Sequence, residues 1–261
     1  MNIVSWNIKW MGRNETKERN EYRIKNNHKR SEIAKELLEI KSLINSEIDV
    51  LALLEAGNDI APNVDGYKKI FRDRKTDAGL MFQNGILLYV KEKFKAEIND
   101  EVLKEFNENK IGCFLPVILE EKGEKYNCLF VWTTVKYKGE KFYGFKRFEE
   151  ILNKQSFPNT KEFLNGKNNN VIIIGDFNIV YPGDENNSYY KKRKEDWDKL
   201  IKLMNESSLH WIENKEITFG ESAINDHCFV SENLNKMFKL DVKDKKYLNI
   251  KSDHNLIVAS N

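Results

Sequence analysis

Short apolar runs of strand length recur from one end of this chain to the other. They cover Asn2–Trp6, Val50–Leu54, Gly85–Val90, Leu115–Leu119, Asn127–Thr134, Val171–Ile174, His227–Val230 and Leu256–Ala259. Helical patterns interrupt them. In Ser31–Ile44 the residues Ile33, Leu37, Leu38, Ile40 and Ile44 form one stripe behind a Ser31 cap, and in Lys192–Met204 Trp197, Leu200, Ile201 and Met204 share a face. A weaker pattern covers Phe145–Leu152. Between residues 68 and 134 the strands follow one another with only turn residues between them, such as Lys122-Gly123-Glu124, which points to sheets with much antiparallel pairing covered by helices. The longest loop candidates are Lys9–Arg30 and Tyr181–Tyr190.

Composition narrows the class. At 261 residues, 40% of them hydrophobic, the chain can bury a real core, and no internal repeat or linker-like stretch divides it. With 43 basic against 41 acidic residues, attraction to a polyanion has to come from local clustering. Lys9–Arg30 is such a cluster: eight basic side chains, among them Arg19, Arg23 and Lys25, face three acidic ones. It reads equally as a phosphate-facing loop and as a solvated insertion. The three cysteines match no zinc spacing, no apolar run approaches a membrane span, and the amino terminus opens on a strand. A reduced, cytoplasmic protein without membrane contact is therefore expected.

Four apolar runs end abruptly in polar, ligand-type side chains: Ser5-Trp6-Asn7, Leu51-Ala52-Leu53-Leu54-Glu55, Ile172-Ile173-Ile174-Gly175-Asp176-Phe177-Asn178 and, ahead of the last strand, Lys251-Ser252-Asp253-His254. A strand buried to its end presents its last side chain at the sheet rim, where loops leave room for a ligand. Singly, Asn7 fits a turn, Glu55 a solvated strand end, Asp176 an Asx turn with Asn178, and His254 a core histidine. Together they suit a hard cation such as Mg²⁺ held by Glu55 with Asn7 and Asp253, beside an imidazole donor for a phosphoryl oxygen and an Asp to act on a water.

In these motifs the sequence resembles the endonuclease/exonuclease/phosphatase superfamily, whose relatives include exonuclease III, abasic-site endonucleases and deoxyribonuclease I. The resemblance rests on Trp6-Asn7, Glu55, Gly175-Asp176-Phe177-Asn178 and Ser252-Asp253-His254. Ile224-Asn225-Asp226-His227-Cys228-Phe229, with Thr218-Phe219 upstream, is similar to the family's Ile-Asp-Tyr-x-Phe strand with one residue added and His227 in place of the tyrosine. It implies a four-layer α/β sandwich, two mixed, mostly antiparallel sheets face to face and flanked by helices, formed by residues 1–261 as one catalytic domain.

It also implies roles. Glu55 would hold Mg²⁺ (or Mn²⁺) with Asn7 and Asp253 near it; Asp176 would orient or deprotonate the attacking water. Asn178 would bond the phosphate or that Asp, and Asp226 would hold His254 so that it stabilises a pentacovalent phosphorane. The expected activity is metal-dependent phosphodiester hydrolysis by a monomer acting on nucleic acid, DNA ahead of RNA. A phosphomonoesterase or phospholipid-directed enzyme and an inactive binding module are the rivals.

Two departures stand out. Many relatives carry Asn-x-His-Leu where this chain has Val131-Trp132-Thr133-Thr134-Val135, so another residue, Tyr143 or Tyr137, has to supply the phosphate contact. Abasic-site enzymes tend to carry Asp where this chain has Lys9. On a strand His227 points away from Asp226, which favours packing, and Trp132 fits the core or groove wall better than a base-stacking platform.

Overall fold

The computed structural model describes residues 1–8, 47–56, 63–73, 85–133, 136–137, 140–141, 143–153, 155–179, 181, 188–214, 216–218, 223–244 and 254–261. The strands are β1 (Asn2–Asn7), β2 (Val50–Ala56), β3 (Tyr67–Asp73), β4 (Gly85–Lys91), β5 (Lys95–Ile98), β6 (Phe114–Glu121), β7 (Glu124–Trp132), β8 (Lys136–Tyr137), β9 (Glu140–Lys141), β10 (Asn170–Asp176), β11 (Leu209–Trp211), β12 (Asp226–Ser231), β13 (Lys239–Lys243) and β14 (Leu256–Ser260). The helices among the described residues are α1 (Asp100–Glu108), α2 (Tyr143–Asn153), α3 (Pro158–Phe163), α4 (Ser188–Glu206) and α5 (Glu232–Asn235).

Two six-stranded sheets form, in the orders β13-β14-β1-β2-β4-β3 and β11-β12-β10-β7-β6-β5. Each is antiparallel except for one central parallel pair, β1 with β2 in the first sheet and β10 with β7 in the second. The architecture is thus the four-layer α/β sandwich with mixed, mostly antiparallel sheets. Strand alternation sorts the side chains between layers. Ile3, Val50, Ala52 and Leu54 of the first sheet meet Cys128, Phe130, Ile172, Ile174, Cys228 and Val230 of the second in the inter-sheet core. The opposite parity of the second sheet, Leu129, Val131, Val171, Ile173 and Phe229, packs under Phe106, Phe148, Phe163, Trp197 and Met204 of the helices. Val4, Trp6, Leu51, Leu53, Leu87 and Tyr89 are buried on the outer face of the first sheet.

All eight expected strands are present. Several boundaries and elements differ from the expectation. The expected run of strands from 68 to 134 is broken by α1, a nine-residue helix that starts at the cap Asn99, whose Oδ1 accepts from Val102 N–H at 3.0 Å. Helix α4 starts at Ser188, so it takes the end of the loop expected at Tyr181–Tyr190. The hairpin turn at Lys122-Gly123 is as expected, with positive φ at both residues, 53° and 87°. The expected helix Ser31–Ile44 and the basic loop Lys9–Arg30 lie outside the described residues.

Candidate active site at the seam of the two sheets

Register places the chemistry. Asp176 ends β10 and is aligned with Asp226 on one neighbouring strand and with Trp132 on the other. Residues side by side in a sheet project to the same face, so all three side chains point between the sheets, continuing the parity of Ile174, Cys228 and Phe130. Asn7 ends β1 with the inward parity of Ile3 and meets Asp176 across the gap, its Nδ2 donating to Oδ2 at 2.9 Å.

Glu55 reaches the same seam by breaking the rule. With Leu51 and Leu53 turned outward and Leu54 inward, strict alternation would send Glu55 out of the sheet pair. A bulge between Leu54 and Ala56 and a left-handed backbone at Glu55, φ 55°, turn it instead. Its Oε1 then accepts from Trp132 Nε1 at 3.2 Å, a bond from the second sheet to the first. Gly175 shows a related constraint: a Cβ there would lie 2.1 Å from the Val131 carbonyl oxygen, and φ is 145°, so β10 comes this close to β7 only without a side chain.

Asp176 sits in a dense net. Asn178, itself left-handed at φ 50°, donates its backbone N–H to Oδ1 at 2.9 Å and its Nδ2 to Oδ2 at 2.9 Å and to the Thr133 carbonyl at 2.7 Å. Thr133 closes the turn, its N–H donating to the Asp176 carbonyl at 2.9 Å and its hydroxyl to the Phe177 carbonyl. Burial drives the Asp176 carboxyl up to about 7, with His254 opposing and Asp226 adding to the rise.

His254 donates from Nδ1 to Asp226 Oδ2 at 2.9 Å and turns Nε2 toward Asp176 Oδ2 at 3.7 Å. Its backbone is pinned because Trp6 Nε1 donates to its carbonyl at 3.2 Å. Thr218 joins the two carriers of this dyad. Its hydroxyl accepts the N–H groups of Asn225 and Asp226 at 2.9 and 3.1 Å, while its carbonyl accepts Asn255 N–H at 2.7 Å. Only the Thr218-Phe219 resemblance hinted at this role, and Thr133 carried no signal beyond its place at the end of the expected strand Asn127–Thr134.

Of the residues expected in the site, Asn7, Glu55, Asp176, Asn178, Asp226 and His254 converge on the seam. Asp253, Arg19, Arg23 and Lys25 lie outside the described residues, and of Tyr143 only its backbone, the first residue of α2, is described. His227 faces away from the seam: it is fully buried beside Phe177, Trp197 and Trp211, and because a carbonyl can only accept, its Nε2 carries the proton donated to Ile179 O at 2.7 Å. Trp132 is 4% exposed, which leaves no face for stacking on a base.

The donors fit a hard cation. Asp176, Asp226 and His254 each bring a ligand-type atom within 4.8 Å of one another, and Asp226 Oδ1 is a buried carboxylate oxygen with no hydrogen-bond partner among the described residues. Those three are also bonded to one another and to Asn7 and Asn178. Glu55, which reaches the seam from β2 and meets Trp132, adds a further carboxylate to this oxygen-rich donor set.

Residues 153–258 match the endonuclease-reverse transcriptase family. A comparison with curated proteins finds no match. Among solved structures, the chain is similar to the AP endonuclease LMAP from Leishmania major at 16% identity and TM-score 0.64, over 99% of this chain and 86% of that one. It is similar to the endonuclease domain of TRAS1, a telomere-specific non-LTR retrotransposon, at 11% identity and TM-score 0.61, over 99% and 97%. The 3'-5' exonuclease NExo from Neisseria meningitidis gives 15% identity and TM-score 0.57, over 100% and 99%. The chain thus shares its fold end to end with these structures, and residues 153–258 carry the match to the endonuclease-reverse transcriptase family.

Proposed function

We propose that this protein is a Mg²⁺-dependent phosphodiesterase, a nuclease acting on DNA in preference to RNA. The observation that carries the reading is the Asp176 net: a buried carboxylate held by Asn7 and Asn178 and facing an imidazole that Asp226 orients. The fold neighbours named above are described as two endonucleases and an exonuclease, and a variant of NExo is described bound to a product DNA hairpin, which supports the substrate class.

Asp176 takes a proton from the attacking water, and Asn178 keeps that carboxylate in one orientation. As the water oxygen bonds to phosphorus and the ester P–O bond breaks, His254 Nε2 offers its proton to the phosphoryl oxygen on which charge develops. Asp226, bonded at Nδ1, favours the charged imidazole that does so. Glu55, with Asn7 and Asp253, would hold Mg²⁺ or Mn²⁺, which supplies positive charge against the phosphate when bound. Because Asn7 commits its amide nitrogen to Asp176, Oδ1 is the ligand atom it offers. Arg19, Arg23, Lys25 and Tyr143 are proposed as substrate contacts. Residues 1–261 would act as one catalytic domain and a monomer in the cytoplasm, consistent with three buried free cysteines and with no described helix being long and apolar enough to cross a membrane.

A panel of labelled single-stranded, double-stranded, abasic and RNA substrates, each with Mg²⁺, Mn²⁺ and EDTA, tests the reading. Cleavage of DNA with either metal and none in EDTA is expected. Hydrolysis of small phosphomonoesters with nucleic acids left intact would move the protein to the phosphatase reading.

A further inference from the structure

We infer that Trp132 is a positioning residue for the cation-holding carboxylate: its indole N–H fixes the orientation of Glu55 and thereby sets the affinity of the site for a divalent cation. The inference rests on the proposed cation role of Glu55 and goes beyond it by assigning a second residue to that half of the site.

The two partners differ in how they are held. Trp132 is anchored on every side: it lies in the inter-sheet core, its backbone N–H donates to the Cys113 carbonyl at 2.9 Å, and its register ties it to Asp176. Glu55 sits on a left-handed bulge with its side chain half-buried at the rim. A carboxylate on such a backbone has rotamers to lose when it takes a cation, and each one left open weakens binding. The indole reduces that loss. It is a donor only, with no lone pair to compete for a metal and no titration in the working range, so it orients the carboxylate without neutralising it. The Oε1···Nε1 line, which crosses from β7 to β2, constrains the direction in which the carboxylate points. Outer hydrogen-bond partners of metal ligands characteristically act in this way. Packing alone does not require the nitrogen, because a phenyl ring fills most of the same apolar volume.

Three forms of the metal-free protein, wild type, Trp132→Phe and Glu55→Gln, with their double variant, are titrated with Mn²⁺ by electron paramagnetic resonance of the free ion. Thermal midpoints are recorded in EDTA. Loss of the donor is expected to weaken Mn²⁺ about tenfold, within the range seen for outer-shell partners. The double variant should bind no more weakly than Glu55→Gln alone, because the indole acts only through that carboxylate. Unchanged Mn²⁺ affinity in Trp132→Phe, with only a lower midpoint, makes Trp132 a packing residue and overturns the inference while the cation reading stands. A wild-type protein that binds no Mn²⁺ removes both. A second measurement does not depend on the variant folding: the assigned Trp132 indole N–H resonance of wild type should move on Mg²⁺ titration and stay still in Glu55→Gln. A Trp132 signal unmoved at saturation overturns the inference.

Discussion

The two halves of the seam are built differently. The half around Asp176, Asp226 and His254 is almost closed to solvent and internally bonded, each group oriented by a neighbour. Glu55, in the other half, is half-buried on a strained bulge and accepts a hydrogen bond from the Trp132 indole. Under the proposed roles, the groups that would handle protons come preorganised by the protein, whereas the carboxylate that would hold the cation is completed by what it binds. Damage to the first half should therefore appear in the rate, and damage to the second in the metal requirement.

The largest effect is expected at Asp176. Asp176→Asn keeps the size and one acceptor but removes the base, so kcat should fall about 10³-fold with DNA affinity little changed. An equal loss in both would make Asp176 a binding residue. The acid limb offers a companion measurement: the carboxylate must be ionised, and burial places its pKa near 7, so metal-free geometry predicts activity rising with pH through that value. A bound cation nearby would move the limb to lower pH.

Next comes the dyad. His254→Ala should cost roughly 10²-fold in rate, and adding Asp226→Asn should cost little more, because the carboxylate works through the imidazole. Strictly additive losses would separate the two. On the other side of the seam, Glu55→Gln should weaken Mg²⁺ by more than about tenfold and be partly rescued by excess metal. Asp176→Asn should show no such rescue, and a similar metal response in the two variants would erase the contrast between the halves.

The smallest effect concerns stability. His227 is held neutral by burial, its pKa lowered to about 4 from 6.5, so the native state binds fewer protons than the unfolded chain between those values. Its contribution is whole above 6.5 and is lost as pH falls through about 4, at most about 3 kcal/mol. Asp176 has the opposite sign: raised from 3.8 to about 7, it favours the fold most at low pH and loses that contribution as pH rises through about 7. His227→Phe should lower the thermal midpoint at neutral pH, through loss of the bond to Ile179, yet lose less on acidification than wild type does. Parallel curves for the two proteins would show that His227 does not titrate in this window.

Much of this was legible in the sequence because parity is a local property. Parity along one strand already sends His227 to the side opposite Asp226, whereas the shared face of Asp176 and Asp226 is set by the pairing of β10 with β12. Glu55 was legible as a strand end but not as a bulge, since the same letters permit either register. The Trp132 donor was invisible for a different reason: its partner lies 77 residues away on the other sheet, and a tryptophan after Leu129-Phe130-Val131 carries a packing signal stronger than its one nitrogen. Helix α1 was missed because only Val102, Glu105 and Phe106 are buried along it, and one of these three is a carboxylate. Glu105 serves a purpose no periodicity reports, accepting from the N–H groups of Asn159 and Thr160 at the start of α3, which has no side-chain cap of its own.

The central claim is that the Asp176 net hydrolyses phosphodiesters with the help of a divalent cation. Single-turnover cleavage of an end-labelled DNA duplex by wild type and by Asp176→Asn, across a Mg²⁺ titration with an EDTA control, tests it most directly. The account predicts cleavage by wild type that saturates with Mg²⁺ and vanishes in EDTA, and an Asp176→Asn rate about 10³-fold lower at every Mg²⁺ concentration. Undiminished cleavage in EDTA, or an Asp176→Asn variant as fast as wild type, would contradict it.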